Sequence, residues 1–330
     1  MMTSNCRTIA ERLTAPGKGI LAADESIGTM SSRLEQAGVE PTAENRRVYR
    51  ELLATAPNLS DSVSGIIFCD ETLGQTFSDG TPFPQAVLEL GILPGIKVDT
   101  GAKPCRSARR EDHRGTRRSA RSAGEVRRHG GGFRQMARGV RDNREHTYPW
   151  AIRANANALG RYAAACQAGL VPIVEPEVLM DGRHNRGRCR DVTAEVHAAV
   201  RTELELLNVD LAGIVLKPNM VLEGQDYPDR PSTPEEIAEA TVSVLRAWPE
   251  ELAGVAFLSG GQSPERATAN LEAMQKHETP WPLTFSFGRA LVSPALTAWH
   301  GDPQCYADGQ AALVSRVVAN AAVARLRVAS

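Results

Sequence analysis

The chain has 330 residues, of which 42% are hydrophobic and 23% charged, with a formal net charge of −1. This is the composition of a globular protein with ample core, long enough for one large domain or two ordinary ones. No apolar run approaches the roughly 20 residues that span a bilayer, which excludes a transmembrane helix. The opening MMTSNCRTIAERL lacks the apolar stretch of a signal peptide, so a cytoplasmic protein is expected. Its six cysteines are scattered without a C-x-x-C, and its seven histidines show no H-x-H or H-E-x-x-H. Spacing therefore predicts neither a disulfide framework nor a metal site.

Short apolar runs recur along the chain: GILAAD (19–24), GIIFCD (65–70), GIKVD (95–99), LVPIVEPEV (170–178), GIVLKPNMV (213–221), GVAFLSGG (254–261) and PLTFSFGRAL (282–291). Each is continuous rather than alternating, as a strand buried on both faces should be. Helical patterns lie between them, at 42–56, 154–169 and 232–248. In the last, Ser232 or Thr233 can cap, Pro234 suits the first turn, and Ile237, Thr241, Val244, Leu245 and Trp248 share one face. Strand–helix alternation predicts a parallel α/β fold. Seven strands are visible, and the gap between GIKVD and LVPIVEPEV leaves room for one more unit. Eight units make a (β/α)8 TIM barrel, expected here as a single domain over 1–330.

That gap holds an anomaly. From Cys105 to Trp150 there are 13 Arg, no Lys, no Leu and no Ile, and five acids leave the stretch at +8. It contains no good strand, so the fourth strand–helix unit is expected to be disrupted and 105–150 to be poorly folded. Read as a charged arm it suggests nucleic-acid binding, but it lacks repeats and aromatic interleaving.

Barrel active sites sit at the C-terminal ends of the strands. There the sequence places Asp24 and Glu25, Lys97 and Asp99, Glu175 and Glu177, Lys217, Ser259, and Ser286 with Arg289. Lys217 interrupts an apolar strand. A desolvated lysine beside other cations loses its proton more readily and can add to a carbonyl; equally, a strand-end lysine can simply pair with a carboxylate. Glu175 and Glu177 lie two apart and point the same way, as an acid/base with its neighbour or as part of a structural ion pair. Pro176 between them fits a strand that is ending. LSGGQS and FSFGRAL follow the last two strands, where barrels commonly bind phosphate; S-G-G is also an ordinary turn.

KGILAADES, GIKVD, VPIVEPEVL, VLKPNM, AFLSGGQS and PLTFSFGRAL, in this order, resemble class I (Schiff-base) fructose-bisphosphate aldolase over about 8–104 and 151–320. The resemblance implies cleavage of fructose 1,6-bisphosphate to dihydroxyacetone phosphate and glyceraldehyde 3-phosphate, with no metal or cofactor. It implies that Lys217 forms the Schiff base and that Glu175 is the acid/base, with Glu177 as its charged neighbour. Asp24 would help take the C4-hydroxyl proton, and Lys97 would contact substrate. Ser259, Gly260 and Arg289 would form the C1-phosphate site, Arg33 part of the C6-phosphate site, and Ser286 would be a further substrate-binding residue. Ser32 stands where many members have Lys. The family further implies a homo-oligomer, often a tetramer, with no nucleic-acid or membrane partner. A Schiff-base aldolase for another phosphorylated sugar is the alternative that the two-phosphate constellation disfavours.

The family's fourth strand carries F-A-K-W-R, whereas residues 133–138 here read FRQMAR. RQMAR written as CGC CAA ATG GCG CGC and read one base later gives A-K-W-R. REDHRGTRRS and GVRDNREHTYP yield family-like segments in the same register. Compensating indels near Pro104–Arg106 and Pro149–Ala151 would produce such a stretch.

Overall fold

The computed structural model describes residues 2–99, 102–105, 110–113, 132–140 and 149–326. Eight parallel strands form one sheet: β1 (Gly19–Ala23), β2 (Val63–Phe68), β3 (Leu93–Lys97), β6 (Phe133–Val140), β7 (Val171–Val178), β8 (Val215–Leu216), β9 (Val255–Phe257) and β10 (Leu283–Phe285), neighbours in that order. The first strand returns to the last. The Ala22 N–H donates to the Phe287 carbonyl at 3.0 Å, and Thr284 Oγ1 donates to the Lys18 carbonyl at 2.5 Å. The result is a nearly closed barrel, as strand–helix alternation predicts. β1, β2, β9 and β10 are buried at every position, which is why their sequences are apolar without alternation.

The expectation of a missing fourth strand is overturned. β6 pairs with β3 through Gly95↔Phe133 and Lys97↔Gln135, and with β7 over eight positions from Phe133↔Val171 to Val140↔Val178. The physical reason is Phe133, fully buried in the barrel floor. A β-carbon at Gly65 would stand 2.7 Å from its ring, and one at Gly95 would overlap the ring outright. Two neighbouring strands thus leave a hole that one aromatic side chain fills, and filling it is worth a few kcal/mol. Helix α1 (Met2–Leu13) closes the same end of the barrel, with Cys6, Ile9, Ala10 and Leu13 packing against Ile20, Ile67, Phe133 and Val171. Ahead of β6, β4 (Ala102–Cys105) and β5 (Arg110–His113) form an antiparallel pair that the sequence did not signal. The rest of the 105–150 expectation lies outside the described residues.

Helices α2 (Ile27–Gln36), α3 (Ala43–Ala54), α4 (Asp70–Leu73), α5 (Phe83–Glu89), α6 (Pro149–Cys166), α7 (Arg186–Leu206), α8 (Pro234–Leu245), α9 (Pro264–Gln275), α10 (Arg289–Trp299) and α11 (Tyr306–Ala324) complete the fold. α8 begins with a capping box: Thr233 Oγ1 accepts from the Glu236 N–H at 3.3 Å while Glu236 accepts from the Thr233 N–H at 2.7 Å. Between the two candidate caps the structure selects Thr233. Ile237, Thr241, Val244, Leu245 and Trp248 are buried, as their spacing predicts. One boundary differs from the sequence reading: α6 starts at Pro149, before the predicted 154. β7 ends at Val178, two residues past Pro176, as the run 170–178 predicts.

Candidate active site

The strand ends converge on an open pocket of about 300 Å³. Asp24, Glu25, Arg33, Lys97, Glu175, Glu177, Lys217, Ser259, Gly260, Ser286 and Arg289 all line it, joined by Asp99, Gln135, Met180 and Gly261. Every site residue named from the sequence is therefore at one place.

Lys217 stands one residue past β8, its N–H held by the Val174 carbonyl at 2.8 Å. That bond aims the side chain across the barrel mouth. Its Nζ lies 3.4 Å from Glu175 Oε2 and donates to Gln135 Oε1 at 2.9 Å. Lys217 is 3% exposed and Glu175 6%. Gln135 Nε2 in turn donates to Asp24 Oδ2 at 3.1 Å. Lys97 Nζ sits 3.7 Å from both Asp24 and Asp99, and Asp99 also accepts from the Ala137 N–H at 3.3 Å.

The electrostatics set Asp24 apart from the two glutamates. Burial opposes charge on Asp24, but Lys97 and Lys217 outweigh it and hold its pKa below the ordinary value. Burial raises Glu175, in spite of Lys217 and Lys97. Burial and then the adjacent Glu175 push Glu177 up to about 7. Lys97 is raised against its own desolvation by Asp24 and Asp99. Asp24 is thus held as an anion, while burial raises the proton affinity of both glutamates, Glu177 to about 7, which is the division of labour acid/base chemistry needs.

The far side of the pocket is cationic. Gly260 and Gly261, both on the pocket lining, have φ of +52° and +75°, a left-handed path that glycine takes without strain. Met180 Sδ and Gln225 Nε2 crowd the Gly261 α-carbon, so only glycine fits there. Helix α10 opens at Arg289 behind Gly288, and both residues line the pocket, so the positive end of the helix borders it. Ser286 Oγ is buried without a hydrogen-bond partner among the described residues. Burial and the nearby Arg33 lower the Arg289 pKa, the mark of two cations sharing one mouth. Arg33 is held by Glu25, which Arg50 also pairs at 2.7 Å. Ser32 accepts from Gln36 at 3.4 Å, on the exposed side of α2.

Gln135 is the site residue that sequence reasoning missed as a participant, noting only that no lysine stood there. A polar residue two places after a buried Phe was the available signal. In a parallel register that puts it beside Lys97.

A barrel mouth that sets a buried lysine beside one carboxyl of raised proton affinity and near an anionic one, across from two arginines, is suited to the chemistry of a Schiff-base lyase. The family model described as "Glycolytic: Fructose-bisphosphate aldolase class-I" matches residues 5–328. Fructose-bisphosphate aldolase B of Gallus gallus is 44% identical over 323 residues, covering 96% of this chain and 88% of the relative. The Drosophila melanogaster fructose-bisphosphate aldolase is 46% identical over 320 residues, covering 95% and 88%. Among solved structures, the fructose-bisphosphate aldolase of Plasmodium falciparum, in complex with TRAP and a small-molecule inhibitor, superposes with a TM-score of 0.94 at 36% identity, covering 100% of this chain and 96% of the other. The chain belongs to the class I fructose-bisphosphate aldolase family. The reaction of that family is aldol cleavage of fructose 1,6-bisphosphate through a lysine Schiff base.

Proposed function

We propose that this chain cleaves fructose 1,6-bisphosphate with Lys217 as the nucleophile. The observation that supports this reading is the 3.4 Å approach of Lys217 Nζ to a Glu175 whose proton affinity burial has raised. To attack the ketose carbonyl the amine must give up a proton, and Glu175 is placed to take it. The same proton then goes to the carbinolamine oxygen, which leaves as water and yields the iminium. The iminium draws electrons from the C3–C4 bond as the C4-hydroxyl proton departs. Asp24 is the anion available to accept it. Glu177 keeps the Glu175 region able to hold protons, and Lys97 keeps Asp24 charged. The C1-phosphate lies against Ser259, Gly260, Ser286 and Arg289, and the C6-phosphate against Arg33. Family kinship supports a homo-oligomer in the cytoplasm; among the described residues no helix is long and apolar enough to cross a membrane.

Borohydride reduction in the presence of fructose 1,6-bisphosphate tests the assignment. One covalent label on Lys217, absent in Lys217→Met, is expected. A label on another lysine would overturn it.

The arginine-rich stretch belongs to the same proposal: it is translated out of frame between two compensating indels. Sequencing the gene across codons 100–155 decides this. Bases that contain no A-K-W-R triplets in the next frame would refute it.

A further inference from the structure

The corner between α10 and α11 brings together three metal-ligating side chains that the aldol reaction does not use. His300, Asp302 and Cys305 place their donor atoms within 4.8 Å of one another, the one such cluster among the described residues. We propose that this corner is a zinc site, with a water as the fourth ligand.

The backbone shapes it. His300 ends α10 in the left-handed region at φ +36°, and Gly301 continues there at +83°. A histidine in that region is uncommon, and holding a side chain there costs on the order of 1 kcal/mol. The two left-handed residues reverse the chain, so the imidazole and the following carboxylate share one side. A short 3₁₀ turn, Pro303–Cys305, then returns the thiol to the same side, with the Cys305 N–H donating to the Asp302 carbonyl at 3.0 Å.

The imidazole is independently oriented for a ligand. Its Nδ1 lies 3.0 Å from the Ala298 carbonyl, which can only accept. The ring proton is therefore on Nδ1, and Nε2 offers its lone pair. This is the outer hydrogen bond that orients ligating histidines. Asp302 Oδ1 is likewise anchored, accepting from the Gln304 N–H at 2.8 Å, which leaves Oδ2 for a cation. The last carbonyls of α10 and the carboxylate of Asp308, in the first turn of α11, add negative potential.

The donor set of one nitrogen, one thiol sulfur and one carboxylate oxygen selects zinc over the hard cations magnesium and calcium. Binding replaces the Cys305 thiol proton with the metal, so one proton is released for each ion bound. Spacing in the sequence does not reveal the site, because H-x-D-x-x-C matches no familiar zinc signature. The ligands converge only through the left-handed turn. The corner lies a full helix, about 16 Å at 1.5 Å per residue, from Arg289 at the other end of α10. Its occupancy is therefore separable from the aldol chemistry.

The test is titration of the chelator-treated protein with cobalt(II), a spectroscopic stand-in for zinc. One equivalent should give a thiolate-to-cobalt charge-transfer band, bleached by zinc. Cys305→Ser should abolish the band, and His300→Gln should weaken binding at least tenfold, while both variants keep the fold and the borohydride label of the parent. Should Cys305→Ser fold poorly, the exposed His300→Gln carries the test alone. No band in the parent, an undiminished band in Cys305→Ser, or unchanged affinity in His300→Gln would each overturn the proposal.

Discussion

Lys217 donates a hydrogen bond to Gln135 at 2.9 Å, so the proposed nucleophile leans on a neutral amide supplied by the fourth strand. The family pattern puts a lysine on this strand. An amide can hold the amine in place and, through Nε2, hold Asp24 as well. It cannot supply positive charge to ease deprotonation of Lys217 or to meet the substrate. Gln135→Lys is expected to raise kcat on the order of 100-fold, the usual scale for one acid/base or electrostatic contact. Gln135→Leu should lose the tether and lower the rate of borohydride trapping. Steady-state turnover and trapping rates check both. An unchanged kcat in Gln135→Lys would show that the missing charge does not limit the reaction.

Glu177 gives a direct pH readout. Burial and the like charge of Glu175 hold its pKa near 7. Below that pH it carries a proton, and above it two neighbouring carboxyl groups compete for charge. Carbon-13 NMR of labelled glutamate should show a side chain titrating near pH 7. In Glu175→Gln the repulsion is gone, and the midpoint should fall toward the ordinary 4.5. A carboxyl raised on folding costs stability in full above its folded pKa, so the cost starts to fall as the pH drops below 7 and is gone near the unfolded value of 4.5.

The barrel was legible because seven of its strands are buried on both faces, and an unbroken apolar run as short as GIIFCD suits a buried strand better than a helix. The site was legible because polar residues such as Asp24 and Lys217 stand at the ends of those runs, where barrel geometry makes them converge. The fourth strand was not legible. FRQMARGV contributes Met136 to the core and, on the barrel floor, Phe133, whose fit depends on Gly65 and Gly95, which lie 68 and 38 positions earlier. Nothing local to the strand announces that fit. Gln135 went unrecognised for the same reason: its role follows from a register with Lys97 that only the folded barrel sets.

The proposed phosphate site predicts an asymmetry between binding and chemistry. Arg289 and the Gly260–Gly261 turn would touch the phosphate and not the reacting carbons. Arg289→Ala should raise KM about tenfold or more while changing kcat less, since one charge-assisted hydrogen bond is worth about 1.5–3 kcal/mol. Gly261→Ala is more severe. A β-carbon there meets Met180 and Gln225, and φ of +75° disfavours any side chain. It should weaken substrate and inorganic phosphate binding together. Calorimetric titration with phosphate separates this from a loss of catalysis.

His197 should make the fold sensitive to acid from a place remote from the site. It is 3% exposed on α7, and its Nδ1 accepts from the Trp248 indole N–H at 3.1 Å. Burial lowers its pKa to about 3. The folded protein therefore keeps the ring neutral, while the unfolded chain takes a proton near 6.5. A histidine depressed in this way contributes its full stability above the unfolded pKa. That contribution is lost as the pH falls toward 3, at up to about 1.4 kcal/mol per pH unit. His197→Gln keeps an oxygen that can accept from Trp248 but removes the titration. Urea unfolding at pH 7, 6 and 5 should show the parent losing stability faster than the variant by about 1 kcal/mol between the last two points. Parallel curves would show that His197 is solvated in the folded state, and would remove burial as the cause of its neutrality.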